Sequence, residues 1–176
     1  GPVQSLIHAF GDNGVRTVSV TAVDEDGAYS AAKVVTVLNV APQLQATMQS
    51  PVDEGGIARL SGVIADPGRL DSFTLTVDWG EGAPEVIALG AGATVFEVTH
   101  RYQDDRPSGT ASDPYPIAIS LVDDDGGPAA ATASVVVNNV APAISGLATS
   151  AASVLEGDLV TLSGRIDDPG VLDTHT

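Results

Sequence analysis

Cysteine is absent from the 176 residues. Disulfides, thiolate metal centres and cysteine nucleophiles are therefore excluded. Basic residues are scarce: 7 Lys plus Arg face 23 Asp plus Glu, a net charge of −16. So acidic a surface repels phosphate backbones and anionic headgroups, which argues against nucleic acid or a membrane surface as partner. No apolar run approaches the roughly 18 residues that a membrane span requires, so no membrane insertion is expected. Aromatic residues are only 4% of the chain, too few for an extended stacking platform. Lysine occurs once, as Lys33, and an Asn-x-Ser/Thr sequon does not occur, so N-glycosylation is not expected. No signal peptide is visible, and the chain reads as a fragment of a longer protein. Against these shortages, 43% of the residues are hydrophobic, enough for ordered cores.

What is abundant is self-similarity. Residues 52–74 read VDEGGIARLSGVIADPGRLDSFT and residues 154–176 read VLEGDLVTLSGRIDDPGVLDTHT, an ungapped match at an offset of 102. Residues 23–42 (VDEDGAYSAAKVVTVLNVAP) match residues 122–142 (VDDDGGPAAATASVVVNNVAP) with one insertion. His8 to Phe10 matches His100 to Tyr102 at an offset of 92, which places an insertion near Arg106–Asp113. Repeats of this length are read as tandem domains of ordinary size. The chain divides into residues 1–42, the C-terminal half of a repeat; residues 43–141, a complete repeat; and residues 142–176, the N-terminal part of another. No lysine falls within the complete repeat, so it has no intramolecular Lys–Asn cross-link.

The hydrophobic period is two. Phe73, Leu75, Val77 and Trp79 alternate with polar residues, as do Val18 and Val20, and Ile117, Ile119 and Leu121. Such alternation buries one face of a sheet. Val, Thr and Ile dominate these runs, and Gly, Pro and Asp clusters punctuate them at sandwich-like intervals. The complete repeat is predicted to hold seven strands: near Ala46–Met48, then Ala58–Ile64, Thr74–Trp79, Glu85–Leu89, Thr94–Thr99, Pro116–Val122 and Ala131–Val137. Trp79, the single tryptophan, is expected in the core, on the third strand. The fold class is all-β, an immunoglobulin-like sandwich in tandem repeats with partial copies at both ends.

At this point the residues resemble a known family. Val77-Asp78-Trp79-Gly80-Glu81-Gly82 is similar to the WDFGDG-type signature of polycystic-kidney-disease (PKD) domains. His100-Arg101-Tyr102, the Pro116–Val122 strand and Asp123-Asp124-Asp125-Gly126 resemble that family's H-x-Y … D-x-x-G stretch. The acidic residue before Trp79, the Gly-Glu-Gly in place of Gly-Asp-Gly and a long Asp104–Pro114 stretch depart from the pattern. The resemblance implies a PKD-type β-sandwich on an extracellular or cell-surface protein, with roles in spacing, adhesion or accessory binding beside an enzyme domain.

The acidic residues gather in turns at recurring positions. In a sandwich, the loop Asp66–Asp71, the loop Asp123–Gly127 and the incoming linker Asn39–Pro42 all lie at one end of the complete repeat. Asn39, Asp66, Asp71, Asp123 and Asp125 are thereby expected to form an oxygen cage for calcium, a hard cation that takes six to eight such ligands. The resemblance agrees, since some PKD-like domains hold calcium at matching positions. A second, partial cage is expected from Asn139, Asp168 and Asp173, with Glu54 reaching it from the opposite end of the repeat. It lacks a second acidic loop and is expected to bind weakly or not at all. Asp24 and Asp26 belong to a corresponding loop of the first partial repeat. Asp and Asn also favour turns for local hydrogen bonding, but consecutive aspartates without a nearby lysine repel unless a cation neutralises them. No EF-hand loop is present.

Catalytic motifs are lacking. His8 and His100 occupy the same repeat position and His175 aligns with Phe73, so all three are read as structural. No histidine pair has zinc spacing, and no nucleophile elbow, phosphate-binding loop or dinucleotide fingerprint occurs. Three functions remain. The first is a structural or adhesive spacer of a secreted or cell-surface repeat protein, its partners the neighbouring repeats, stiffened by calcium at the junctions. The second is an accessory module binding a glycan or fibrous protein, which requires exposed aromatics among Tyr29, Tyr102 and Tyr115. The third is homo-oligomerisation through the open strand edges of the incomplete terminal repeats.

Overall fold

A computed structural model describes residues 4–106 and 109–176. Its elements are twelve strands, with no helix among the described residues. They are β1 (Gly14–Asp24), β2 (Gly27–Val37), β3 (Gln43–Met48), β4 (Val52–Asp53), β5 (Ile57–Ala65), β6 (Phe73–Asp78), β7 (Glu85–Leu89), β8 (Val95–Arg101), β9 (Ser112–Asp123), β10 (Pro128–Asn138), β11 (Ala143–Thr149) and β12 (Leu162–Asp167).

The complete repeat builds two sheets, ordered β4-β10-β9-β6-β7 and β3-β5-β8. Burial alternates along their strands, most regularly in β9 and β5, so each sheet has one dry face. Two sheets with one dry face each form a sandwich. All seven predicted strands are present, each starting or ending within a few residues of its expected limits. The sequence pattern missed β4, whose two residues pair in parallel with Val137 and Asn138 of β10; two residues are too few to show alternation.

By packing, the chain falls into two compact units: residues 1–47, 61–97 and 118–133, and residues 48–60, 98–117 and 134–176. In the first unit the core comprises Ile64, Phe73, Leu75, Val77, Trp79, Phe96, Ile119 and Leu121, all buried. Trp79 is 1% exposed, as its place in the pattern implied, and its indole Nε1 donates to Glu85 Oε2 at 3.2 Å. In the second unit Ala58, Leu60, Tyr102, Tyr115, Ile117, Val135 and Val137 are buried. Tyr102 and Tyr115 lie ring to ring, 4.7 Å between centroids.

The partial repeats form two-stranded sheets, β1-β2 and β11-β12. The alternation in β1 predicted a buried face, yet Val18 and Val20 are 50% and 63% exposed. A two-stranded sheet with no second sheet stacked on it has no dry face, whatever its pattern.

Two registers position the acidic residues. Phe73 of β6 pairs with Asp123, the last residue of β9, which brings Asp71, two residues before Phe73, beside the β9–β10 turn. In the second unit the turn after β4 is held by three backbone bonds: Glu54 N to Asn138 O (2.9 Å), Gly55 N to Tyr102 O (2.7 Å) and Gly56 N to Asp53 O (2.9 Å). That sets Glu54 next to the residues following Tyr102. The β9 register is tested by neighbouring truncations. Leu121→Ala, at a fully buried position, is expected to cost about 2–5 kcal/mol in urea unfolding. Val122→Ala, on the opposite face, is expected to cost less than about 1 kcal/mol. Equal losses would contradict the register.

Candidate metal centres

The first centre lies in the first unit. Asp66, Asp71 and Asp123 bring carboxylate oxygens within 4.8 Å of one another, with Asp71 and Asp123 only 2% and 4% exposed. Their loops are shaped by their own side chains. Asp66 Oδ1 accepts from Gly68 N at 2.7 Å and Asp71 N donates to Gly68 O at 3.2 Å. A Cβ on Gly68 would overlap the Asp71 carboxylate, so a larger residue there would displace that side chain. Asp123 Oδ1 accepts from Asp125 N (3.0 Å) and Gly127 N (2.6 Å), while its Oδ2 accepts from Asn39 Nδ2 at 2.9 Å. The linker amide therefore reaches the acidic turn as expected. Asp124 closes the corner, exchanging backbone and side-chain bonds with Ser72.

Of the five residues expected here, Asn39, Asp66, Asp71 and Asp123 converge. Asp125 is exposed and belongs to a second triad, with Asp71 and Asp12. Asp12 was not foreseen. It follows Gly11, whose carbonyl accepts from Leu70 N at 3.2 Å, and it is also paired with Arg16 at 3.3 Å. Burial first, then the negative charges of Asp66, Asp124, Asp12 and Asp123, push the Asp71 carboxyl up to about 6. Asp66 Oδ2 is buried without a hydrogen-bond partner.

The second centre lies in the second unit. Glu54, Asp104, Asp105 and Asp173 bring carboxylate oxygens within 4.8 Å of one another. Glu54, Asp104 and Asp105 are 2%, 1% and 0% exposed, deeper than the first centre. Glu54 Oε1 accepts from Val140 N of the linker at 2.6 Å, and Tyr115 donates its hydroxyl to Asp104 O at 3.0 Å. Of the four residues expected here, Glu54 and Asp173 join the cluster. Asn139 is exposed and shares with Asp168 and Asp173 the lining of an adjoining open pocket. Asp168 uses Oδ1 to accept from Gly170 N at 3.0 Å, and its buried Oδ2 lies 3.5 Å from His175 Nε2. Burial, the main cause, raises the Glu54 and Asp105 carboxyls above their usual range, with neighbouring carboxylates adding to it.

Asp104 and Asp105 were missed because they open the stretch read as an irregular insertion. A signal was present: the offset of 92 that aligns His8 with His100 also aligns Asp12 with Asp104. The structure repeats that geometry. His8–Phe10 and His100–Tyr102 make the same edge contact, each at 4.8 Å. Gly11 O and Gln103 O each accept a backbone amide, from Leu70 and Val171, at 3.2 Å.

Both centres offer only oxygen ligands, and both contain buried carboxylate oxygens without hydrogen-bond donors. That donor set fits a hard divalent cation such as calcium. The raised Asp71 carboxyl gives a pH signature. Its folded-state value lies above the usual 3.8, so the folded chain binds more protons between those values. Its favourable contribution is complete below pH 3.8 and lost as pH rises through about 6. In chelator, Asp71→Asn is expected to stabilise the chain at pH 7.5 by roughly 1–3 kcal/mol and to have little effect at pH 3.5. Denaturant unfolding at both pH values checks this; a destabilised variant at pH 7.5 would contradict it.

No protein-family model and no curated protein matches the sequence. Among solved structures, the chain is similar to the PKD domain of an M14-like peptidase from Thermoplasmatales archaeon SCGC AB-540-F20. The TM-score is 0.48 and the identity 19%, over 57% of this chain and 99% of that one.

Proposed function

We propose that the chain is a spacer segment of an extracellular repeat protein whose inter-repeat junctions are stiffened by calcium. The observation that carries this reading is the convergence of Asn39, from the linker, with Asp123, Asp66 and Asp71 from two loops of the complete repeat. One cation there ties the entering strand to both loops. The residues fix the ligand atoms beforehand through the Asp66 and Asp123 turns, so little ordering remains to be done on binding.

The role is mechanical. Without a cation, like charges at the junction repel and the linker gains freedom. With one, the angle between successive repeats is set and a row of them behaves as a rod. Extracellular modules bind calcium with dissociation constants of about 10⁻⁴–10⁻³ M, matched to calcium outside cells. A ligand at a hundred times its dissociation constant adds about 2.7 kcal/mol to folded-state stability.

The accessory-binding alternative required exposed tyrosines. Tyr102 and Tyr115 are 0% and 5% exposed, and Tyr29 is exposed by itself in β2. That distribution offers no aromatic platform among the described residues and favours the spacer.

Small-angle scattering and thermal melts, each in calcium and in chelator, test the proposal. Calcium is expected to raise the melting temperature by several degrees and narrow the spread of conformations. Asp123→Asn is expected to diminish both responses. Scattering curves and melts that superimpose with and without calcium would overturn it.

A further inference from the structure

The second centre is more than the weak half-site its sequence suggested. Asp105 is fully buried, and neither of its carboxylate oxygens has a hydrogen-bond partner; Glu54 Oε2 is in the same state. Both side chains are aimed into a cluster whose other members, Asp104 and Asp173, are also acidic. A buried carboxylate is stable only when hydrogen-bonded, protonated or bound to a cation. None of these three atoms accepts a well-formed hydrogen bond, and the backbone of Asp105 is the one protein donor nearby that lowers the Glu54 and Asp105 carboxyls besides Val140 N. A proton can join one pair of these carboxylates by a hydrogen bond, whereas one divalent ion can satisfy oxygens of all four at once.

We infer that Glu54, Asp104, Asp105 and Asp173 hold a buried divalent cation of the calcium class, distinct from the ion at Asp66, Asp71 and Asp123. Oxygens at 2.3–2.6 Å from calcium lie up to about 5 Å apart across the shell, which accommodates the 4.8 Å limit seen here. Magnesium is disfavoured, because it keeps several waters and seldom accepts an all-protein cage.

The cluster is also built to receive an ion. Four separate segments supply and brace it. The turn after β4 gives Glu54, anchored through Gly55 N to Tyr102 O. The segment after β8 gives Asp104 and Asp105, with Asp104 O held by the Tyr115 hydroxyl. The linker contributes Val140 N to Glu54 Oε1. The β12–β11 end of the chain contributes the Asp168–Asp173 loop, in which Val171 N donates to Gln103 O. A Cβ on Gly170 would lie 2.6 Å from Glu54 Oε2 and 2.7 Å from Asp173 Oδ2. The two carboxylates thus turn toward one backbone point, and a larger residue at 170 would push them aside.

The first junction shows the contrast. Asp12 stands in the place of Asp104 and Asn13 in the place of Asp105. The buried charge that distinguishes the second centre is thus replaced by a neutral amide at the first. The inference extends the calcium reading to residues contributed by the upstream repeat and names Asp105 as the residue that tightens the site.

Terbium(III) luminescence on the whole chain tests it. Tyr115 touches Asp104 and lies beside Tyr102, so tyrosine excitation is expected to sensitise terbium bound in this cluster. The emission is expected to be displaced by calcium, to fall at least tenfold in Asp105→Asn, and to persist in Asp123→Asn. Calorimetric calcium titration is expected to give two ions for the natural sequence and one for each variant. A natural chain with no calcium-displaceable sensitised emission would overturn the inference without recourse to any variant. Loss of one ion in Asp123→Asn but none in Asp105→Asn would also overturn it while leaving the spacer proposal intact. Loss in Asp105→Asn alone would support it and count against the first centre.

Discussion

Like charge gathered out of water is the constraint on which the junctions depend. The β-sandwich itself needs nothing unusual: alternating Val, Ile and Leu side chains dry one face of each sheet, and Trp79 fills one core. In the acidic clusters, however, carboxylates are gathered against one another at up to four per cluster. Such an arrangement is costly in isolation, and the local hydrogen bonds only partly offset it. Asp123 receives three donors, but Asp105 has none for its side chain. The residual charge is what a divalent cation, as proposed above, would neutralise beside the linker.

The two junctions are complementary views of one design. At the first, the downstream repeat supplies both of its acidic loops, through Asp66, Asp71 and Asp123. At the second, the upstream repeat supplies its own share, through Glu54, Asp104 and Asp105. The backbone bonds that Gly11 O and Gln103 O accept from Leu70 N and Val171 N have the same length, 3.2 Å. Taken together they show acidic or amide groups converging from the turn after β4, the segment after β8, the linker and two following loops. The acidic composition, −16 over 176 residues, is then a property of the joints as much as of the surface.

Much of this was legible in the sequence because period-two alternation and Asp-rich turns are local signals. The strands around Leu75 and Ile119, the core place of Trp79 and the meeting of Asn39 with Asp123 all follow from spacing and topology. Three features were not. The parallel strand Val52–Asp53 is too short to show a period. The exposed face of β1 follows from the absence of a stacked second sheet among the described residues, which no pattern within β1 records. Asp104 and Asp105 become buried because Tyr115 and the turn at Glu54 fold over them, and those contacts join residues distant in sequence. A stretch rich in Asp, Gly and Pro looks solvated until the tertiary partners are known.

In the proposed spacer, cations rather than protons compensate the buried carboxylates of the two clusters. Anomalous diffraction from a crystal grown in calcium and soaked with terbium tests it most directly. Two anomalous peaks are expected, one among Asp66, Asp71 and Asp123 and one among Glu54, Asp104, Asp105 and Asp173, each with oxygens at metal-ligand distance. Water-filled or collapsed clusters without anomalous signal, with carboxyl pairs at hydrogen-bonding distance, would contradict it.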